Sequence, residues 1–339
     1  MEPEKEIFKK GSTTYYFSSR FFPKQVRNNV FKLYSFVRTA DNYVDEKPAH
    51  PKKLLSLEKA YDAAIADHTY DATAHQWDDI DTRIIKNIVR LQHRFKFEEA
   101  WIRAFFNSMK MDIEPKAYKT LEDSLTYVHG SAEVIGLMMA KLMKLPEEAY
   151  DAAKAQGRAM QWINFIRDID EDNKLGRNYF PVTELKKYGL KNLSEEEARA
   201  NPSGFKKFMH AQIDLYKKWQ KEADNGLHYI PERLQVPIKT AVDMYNWTAK
   251  ELEKDPFLVF ERKVKPRKRR VLGHVVRNTA RGTKRVTLRT MRQVRSGSKK
   301  AVPAAKAAVP IVKEKATETT DAFLQKTDEL REKLPGSKE

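Results

Sequence analysis

The sequence predicts an all-α protein, and three observations lead to that prediction. Apolar residues recur at spacings of three and four along seven segments, prolines and glycines separate these segments, and no segment alternates as a strand would. The hydrophobic share of 41% is enough for a sizeable core. We therefore expect one helical domain over residues 1–262, followed by a tail over residues 263–339.

The expected helices follow one another between breakers. In the first of them, Val30, Leu33 and Val37 continue one apolar face, and Pro48 follows its end. The seven helices are predicted over residues 24–46, 81–96, 98–110, 121–145, 147–172, 204–225 and 236–254.

Composition excludes several classes of protein. Cysteine is absent, so disulfides, thiolate metal sites and cysteine nucleophiles are excluded. No run of about 18 apolar residues predicts a membrane-spanning helix, and the first residues lack the apolar segment of a secretory signal. We therefore expect a cytoplasmic protein.

The positive charge is concentrated in the tail. The whole chain carries 64 Lys plus Arg against 47 Asp plus Glu, a formal net charge of +17. Residues 263–339 hold 22 of the basic and 7 of the acidic residues, a net of +15. We expect the tail to be partly disordered or to form an amphipathic helix. It is expected to attach the protein peripherally to the inner face of an anionic membrane, while non-specific nucleic-acid contact or a simply solvated extension remain alternatives.

The first candidate site is a pair of acids on the first helix. Asp41 and Asp45 are four residues apart and continue the inward face that includes Tyr34, with Arg38 beside them. The pair can instead face water near the helix end. Acids are unfavourable there because the helix dipole is negative at its C-terminus.

The second candidate site is a polar stripe on the helix predicted over residues 147–172. Gln161, Asn164, Asp168 and Asp172 recur at three and four, and apolar residues cover most of the remaining circumference. Such a stripe is often only a solvated face. Short oxygen-bearing side chains, however, suit Mg²⁺, which commonly bridges carboxylates to substrate phosphates.

Basic residues accompany both acidic helices. Arg167 and Arg177, with Lys174 between them, can supply the cations that diphosphate oxygens require. The economical hypothesis places the two helices face to face across a bundle. There they would bind Mg²⁺ and a diphosphate above an apolar cavity.

Five motifs together resemble the squalene/phytoene synthase family. They are STTYYFSS, FVRTADNYVDE, YVHGSAEVIGLMM, QWINFIRDIDEDNKLGRNYFP and MYNWTAKELEKDPFLVFERK, which lie between residues 12 and 263. Two motifs of the forms DxxxD and NxxRDxxxD in this order, followed by RxYxP, are highly specific together. The resemblance implies the all-α class I isoprenoid synthase bundle with a central cavity. Asn42 is a departure, because relatives often have an acid there.

The resemblance also implies roles for individual residues. The implied metal ligands are Asp41, Asp45, Asn164, Asp168 and Asp172, and the implied catalytic residues are the four acids with Tyr127 and Tyr245. The expected substrate-binding residues are Tyr34, Arg38, Gln161, Asn164, Arg167 and Arg177. The apolar run at residues 134–143 is expected to supply cavity walls or ordinary core. Glu133, in the same region, needs a partner if it is buried.

The implied reaction is an Mg²⁺-dependent prenyl transfer, with Mn²⁺ as a possible substitute. Two geranylgeranyl diphosphates would join head to head through prephytoene diphosphate to give phytoene, the first committed step of carotenoid biosynthesis, with no NADPH. The alternative is a squalene or dehydrosqualene synthase that acts on two farnesyl diphosphates, since spacing does not set cavity depth. A terpene cyclase and an inactive scaffold that binds nucleic acid through its tail are further alternatives. The second motif argues against the cyclase, the intact acids argue against the scaffold, and no specific nucleic acid is expected.

Overall fold

The computed structural model describes residues 2–11, 13–66 and 80–266, with isolated positions 270, 273, 274, 277 and 278. All regular secondary structure in this described part is helical, which confirms the all-α prediction. None of the described helices is long and apolar enough to cross a membrane. Contacts divide the chain into a compact unit over Met1–Lys268 and a second unit over Arg269–Glu339. Most of the predicted tail lies outside the described residues.

The N-terminal helices build one side of the bundle. α3 carries the first acid pair, and its apolar face packs Phe36 against Phe105 with ring centroids 5.0 Å apart. Both rings are fully buried, so this face is part of the first hydrophobic core. The helices are α1 (Glu2–Gly11), α2 (Thr13–Ser19), α3 (Lys24–Asp45), α4 (Pro51–Ala66) and α5 (Ile80–Phe95).

The central helices carry the second acidic stripe. They are α6 (Glu99–Met111), α7 (Leu121–Val128), α8 (Val134–Leu142), α9 (Tyr150–Arg167) and α10 (Ile169–Lys174). A capping box starts α7, because the Thr120 side chain accepts from the backbone N–H of Asp123 while the Asp123 carboxylate accepts from that of Thr120.

The C-terminal helices complete the bundle around a second core. Trp162 of α9 packs edge-on against Trp219, with centroids 5.2 Å apart. Asn201 caps α13 by accepting a hydrogen bond from the Gly204 N–H at 2.9 Å. These helices are α11 (Val182–Lys187), α12 (Glu195–Ala200), α13 (Pro202–Asp224), α14 (Glu232–Lys254) and α15 (Leu258–Glu261).

Residues 121–145 form two α-helices rather than the single predicted one. A π-helical turn, His129–Glu133, separates α7 from α8. Gly130 in this turn packs so closely on α6 that a Cβ atom there would overlap the carbonyl oxygen of Ala104. The Ser108 hydroxyl also donates to the Tyr127 carbonyl at 2.9 Å. A side chain that enters the backbone hydrogen-bond ladder is a recognised cause of such irregularity.

Residues 147–172 are also interrupted, at the acidic stripe itself. α9 ends at Arg167 and α10 begins at Ile169, because Asp168 leaves the helical region with φ −100° and ψ 15°. The backbone N–H of Asp168 nevertheless donates to Asn164 O, and that of Asp172 donates to Asp168 O, both at 2.8 Å. The four-residue period therefore continues through the break, and the stripe keeps one direction.

Candidate active site

A single cavity of about 760 Å³ joins the two acidic motifs to the apolar interior. Its volume lies within the range of about 300–1,000 Å³ that is usual for small-molecule sites. All twelve residues that the sequence analysis selected line this cavity. They are Tyr34, Arg38, Asp41, Asp45, Tyr127, Gln161, Asn164, Arg167, Asp168, Asp172, Arg177 and Tyr245. Their chemical roles stay predictions.

Two arginines lie beside the first acid pair, and only one of them makes a hydrogen bond to it. Arg177 donates through Nη1 to the Oδ1 atom of Asp45 at 2.6 Å. Arg38 Nη1 lies 3.9 Å from Asp41 Oδ2 and 4.0 Å from Asp45 Oδ2, beyond hydrogen-bond distance. Arg38 can therefore turn its donors toward a ligand, whereas Arg177 is 5% exposed and held by the protein.

Asp168 of the second motif is contacted by two basic residues, the preceding Arg167 and Lys263 near the end of the compact unit. Arg167 donates through Nε to Asp168 Oδ1 at 2.8 Å and through Nη2 to Asp168 Oδ2. Lys263 Nζ lies 3.4 Å from Asp168 Oδ1 and also pairs with Glu171. Burial raises the pKa of Asp168, but Arg167 and Lys263 outweigh it, so that pKa lies below its usual value.

Acidic side chains outnumber basic side chains around the cavity. Burial, and then the neighbouring Asp45 carboxylate, raise the pKa of Asp41. Burial raises the pKa of Asp172 well above its usual value, and Asp168 raises it further. Raised carboxyl pKa values mean that the site disfavours its own negative charge. Added positive charge would therefore be stabilised there.

The donor set fits Mg²⁺ on one further observation. The Asn164 amide oxygen is buried, and it accepts no hydrogen bond from any part of the chain that the structure describes. An unpaired buried acceptor is costly unless a ligand satisfies it. Within the same residues, no three His, Asp or Glu side chains converge on one point as a ready-made metal cluster. Mg²⁺ is usually held by one or two carboxylates together with substrate phosphates, so it does not require such a cluster.

Of the three predicted site tyrosines, Tyr127 and Tyr245 are buried, whereas Tyr34 is half-buried. Tyr34 stacks on Phe8 of α1, with centroids 3.7 Å apart. Tyr245 lies 5.7 Å from Tyr15, whose hydroxyl donates to the Met160 sulfur at 3.1 Å. Burial raises the pKa of both Tyr127 and Tyr245, so their hydroxyls stay protonated at neutral pH. Tyr15 also lines the cavity. It lies in the STTYYFSS motif but is not among the predicted site residues, because its position on α2 has no periodic relation to the acids.

The apolar run at residues 134–143 divides between wall and core. Ile135, Met139 and Met143 line the cavity. The other four large apolar side chains, Val134, Leu137, Met138 and Leu142, do not line the cavity and are buried in the first core, so the alternative of ordinary core holds for them. Every third or fourth side chain of a helix shares one face, which is why only part of the run reaches the cavity.

Glu133 finds its partners away from the cavity. Its carboxylate accepts from Arg158 Nε at 2.5 Å and lies 3.0 Å from His129 Nδ1. Burial raises the Glu133 pKa, but His129 and Arg158 outweigh it and lower that pKa. Glu133 is therefore a paired structural carboxylate.

A buried acid that the sequence did not predict, Asp112, also lines the cavity. Asp112 accepts from the Tyr127 hydroxyl at 2.6 Å and from the Tyr179 hydroxyl at 2.8 Å. No periodic signal could identify Asp112, because it follows the end of α6 without another acid on the same face. Tyr179 stands inside the RxYxP motif, and that motif was its only signal.

Two lysines beyond residue 262 also line the cavity. They are Lys263 and Lys265, which the sequence analysis had placed in the tail. Burial, with Lys263 and Arg167 nearby, lowers the pKa of Lys265 to about 8. The domain boundary at residue 262 stays a prediction, but these two side chains belong to the site.

The family becomes clear from comparison with known proteins. The family model described as squalene/phytoene synthase matches residues 8–270. The chain belongs to the squalene/phytoene synthase family. A 15-cis-phytoene synthase of Paracoccus sp. (strain N81106 / MBIC 01143) is 26% identical over 71% of this chain and 78% of its own. Phytoene synthase 3 of Zea mays is 23% identical over 76% of this chain, which spans only 60% of the maize protein.

Solved structures of squalene/phytoene synthase relatives show the same fold. A dehydrosqualene synthase in complex with ligand matches with a TM-score of 0.72 and 20% identity, over 82% of this chain and 95% of its own. A squalene synthase from Alicyclobacillus acidocaldarius matches with a TM-score of 0.64 and 20% identity, over 76% and 94% of the two chains. The predicted isoprenoid synthase bundle with a central cavity is therefore confirmed.

Proposed function

We propose that this protein joins two geranylgeranyl diphosphates head to head and makes phytoene through prephytoene diphosphate. The observation that carries the proposal is the position of both acidic motifs on one cavity with apolar walls. Curated relatives named phytoene synthase, from plants and bacteria, support this choice of substrate. When bound, Mg²⁺ would neutralise the charge that grows on the leaving diphosphate.

The proposed ligands of that metal are the two acid motifs. Asp41 and Asp45 would hold it from α3, and Asn164, Asp168 and Asp172 would hold it from α9 and α10. Arg38 has no hydrogen bond to either neighbouring acid, so it can donate to diphosphate oxygens. A guanidinium can donate two parallel hydrogen bonds to phosphate oxygens, which would stabilise the charge that develops on the leaving diphosphate.

The cavity walls would protect the reactive carbon skeleton from water. Ile135, Met139 and Met143 line the interior, and Phe8 covers Tyr34 from α1. Allylic and cyclopropyl cations react with water, so an apolar enclosure is necessary for a hydrocarbon product. In the second half-reaction, prephytoene diphosphate would lose its diphosphate to give a cation, which rearranges and loses a proton to give phytoene, so no NADPH is used.

A second candidate is the thirty-carbon reaction on two farnesyl diphosphates. It is favoured by the structural similarity to a dehydrosqualene synthase and a squalene synthase. The metal chemistry would be the same in both reactions, and the length of the bound chain would differ.

The test supplies purified protein with Mg²⁺ and either geranylgeranyl or farnesyl diphosphate, with and without NADPH, and identifies the extracted hydrocarbons by mass. We expect a forty-carbon product that needs no NADPH. A thirty-carbon product would replace the substrate and keep the site. No hydrocarbon from either substrate would overturn the proposed function.

A further inference from the structure

Asp112 is a buried carboxylate that none of the proposed steps uses. It follows α6, lines the cavity and is 7% exposed. Burying a carboxylate is costly, so its partners must hold it. Those partners come from two other parts of the chain, namely α7 and the segment after α10.

In its ionised form, Asp112 accepts both of its hydrogen bonds from the tyrosines. An ionised carboxylate has no proton to donate, so both phenols that contact it must donate. Tyr127 donates to Oδ2 and Tyr179 to Oδ1. The Tyr127 proton is therefore committed to Asp112, so the Tyr127 oxygen can serve only as an acceptor toward the cavity that Tyr127 lines.

Asp112 also holds Arg177. The Arg177 Nε atom lies 3.7 Å from Asp112 Oδ1, and its Nη2 atom donates to the Asp112 carbonyl at 3.3 Å and to the Val44 carbonyl at 2.7 Å. The remaining nitrogen, Nη1, donates to Asp45 at 2.6 Å. The Arg177 Nε atom has no hydrogen bond to the described residues, so the Asp112 side chain acts on Arg177 through its charge, and the Asp112 backbone through a hydrogen bond. Both contacts favour the position in which Arg177 donates to a predicted metal ligand.

We propose that Asp112 is a positioning residue that acts through Tyr127 and Arg177. It turns the Tyr127 oxygen into an acceptor toward the cavity and keeps Arg177 against Asp45. The first effect rests on the proposed function, because an acceptor beside the substrate matters only if that substrate must lose a proton. The second effect concerns ligand binding and is independent of turnover.

The first test is a double-mutant cycle on turnover. Asp112→Asn keeps the shape, but its amide NH₂ group forces one phenol to accept instead of donate. We expect Asp112→Asn and Tyr127→Phe each to lower kcat by about 100-fold or more, since an assisted proton transfer typically contributes about 10²–10⁴-fold. The double variant should be within about threefold of the weaker single variant, because both changes remove the same function.

The second test measures binding of inorganic diphosphate in the presence of MgCl₂ by calorimetry. Groups that orient a metal ligand typically contribute 10–100-fold in metal affinity. We expect Asp112→Asn to weaken this binding about tenfold, while Tyr127→Phe changes it less than about twofold. If Asp112 only filled space, Asp112→Asn would change the stability of the protein and would leave diphosphate binding unchanged.

The matched control is Tyr118→Phe. The Tyr118 ring packs 6.2 Å from the rings of both Tyr127 and Tyr179, but Tyr118 does not line the cavity. We expect turnover and diphosphate binding within about twofold of wild type. Thermal unfolding of each variant identifies any that fail to fold. If Asp112→Asn does not fold, Asp112→Glu, which shifts the carboxylate by one methylene, replaces it. We then expect Asp112→Glu also to lower kcat and to weaken diphosphate binding.

Each outcome decides one of the two proposals. Additive effects in the cycle, or turnover and diphosphate binding of Asp112→Asn within about twofold of wild type, would overturn the role of Asp112. If wild type makes no hydrocarbon, the proposed function fails. The binding experiment alone then decides whether Asp112 positions Arg177, and unchanged binding would reject it.

Discussion

Neighbouring acids at the start of α10 and within it have different roles. Asp168 and Asp172 line the cavity, whereas Asp170 does not and pairs with Lys174 on the outside of α10. Side chains two residues apart on a helix point in different directions, so α10 separates a ligand face from a solvated face. The chemical type of a residue therefore does not identify its role here, and its helical position does.

This division gives a matched pair of variants. We expect Asp172→Asn to lower turnover about 100-fold or more, because the proposed metal loses a carboxylate ligand. Asp170→Asn should stay within about twofold of wild type. Steady-state rates with Mg²⁺ and the prenyl diphosphate measure both, and equal losses would contradict the assigned faces.

A second prediction concerns Glu4, which ties α1 to α5. Its carboxylate is 2% exposed and accepts from Arg83 at 2.7 and 3.0 Å and from Asn87 at 3.0 Å. Burial raises the Glu4 pKa, but Arg83 and Asn87 outweigh it and lower the pKa from 4.5 to about 2. A lowered folded-state pKa contributes stability above the unfolded-state value, and this stability is lost as pH falls through the folded-state value.

We therefore expect Glu4→Gln to lower the free energy of unfolding by about 1–2 kcal/mol at pH 7. The difference from wild type should shrink as pH falls from about 4.5 toward 2, where the wild-type carboxylate is itself protonated. Urea unfolding at several pH values measures it. Glu6→Gln, an exposed position on the same helix, is the control and should show no such pH dependence. A pH-independent loss at Glu4 would mean that charge is not the cause.

The residue scale also shows where sequence reasoning stopped. The acids of both motifs were predictable because they repeat every four residues on one helix face. Asp112 was not, because its partners stand 15 and 67 residues later in sequence and no local pattern joins them. Three-dimensional hydrogen bonding, rather than periodicity, defines that part of the site.

At the scale of elements, close helix packing depends on missing side chains. Gly130 presses against α6, where a Cβ atom would overlap the Ala104 carbonyl and the Ser108 hydroxyl. Overpacking of this kind typically costs about 1–3 kcal/mol. We expect Gly130→Ala to lower the free energy of unfolding by that amount, which corresponds to a fall of several degrees in Tm, roughly 2–4 °C per kcal/mol.

A loop glycine supplies the control for this substitution. Gly176 has a φ of 74° and open space around its Cα atom. Asn tolerates positive φ better than other side chains, so Gly176→Asn should cost less than about 1 kcal/mol. Differential scanning calorimetry compares the two variants. An equal loss would indicate that backbone conformation, and not packing on α6, governs both positions.

The elements themselves were largely predictable, but their interruptions were not. The predicted helix over 24–46 is observed as Lys24–Asp45, because apolar spacing and the flanking prolines act locally. The breaks at His129–Glu133 and at Asp168 arise from a neighbouring helix and from the site. Apolar periodicity continues through both breaks, so the sequence alone does not reveal them.

At the scale of the whole molecule, the compact unit over Met1–Lys268 contains all the predicted site residues and both lysines beyond residue 262. We expect a chain truncated after Lys268 to keep turnover within about threefold in detergent. If the basic tail binds membranes as proposed, the truncated chain should lose salt-sensitive sedimentation with anionic liposomes. A full-length variant with neutral residues in place of the tail's Lys and Arg is the matched control.

Three outcomes would test the role of the tail. Truncation that abolishes turnover in detergent would show that the catalytic unit extends beyond Lys268. Unchanged liposome binding after truncation would reject the membrane proposal. Salt-dependent DNA binding by the full chain without liposome binding would support the nucleic-acid alternative.

The excess of acids around the cavity has a consequence for folding itself. Carboxylates that repel one another lower the stability of the ligand-free protein, and a cation that binds only the folded state restores it. At a free concentration 100 times the dissociation constant, such a ligand adds about 2.7 kcal/mol. The protein's lifetime under thermal stress should therefore increase with divalent cation and diphosphate and fall in a chelator. The supply of metal would then govern how long the folded chain persists, before any substrate is converted.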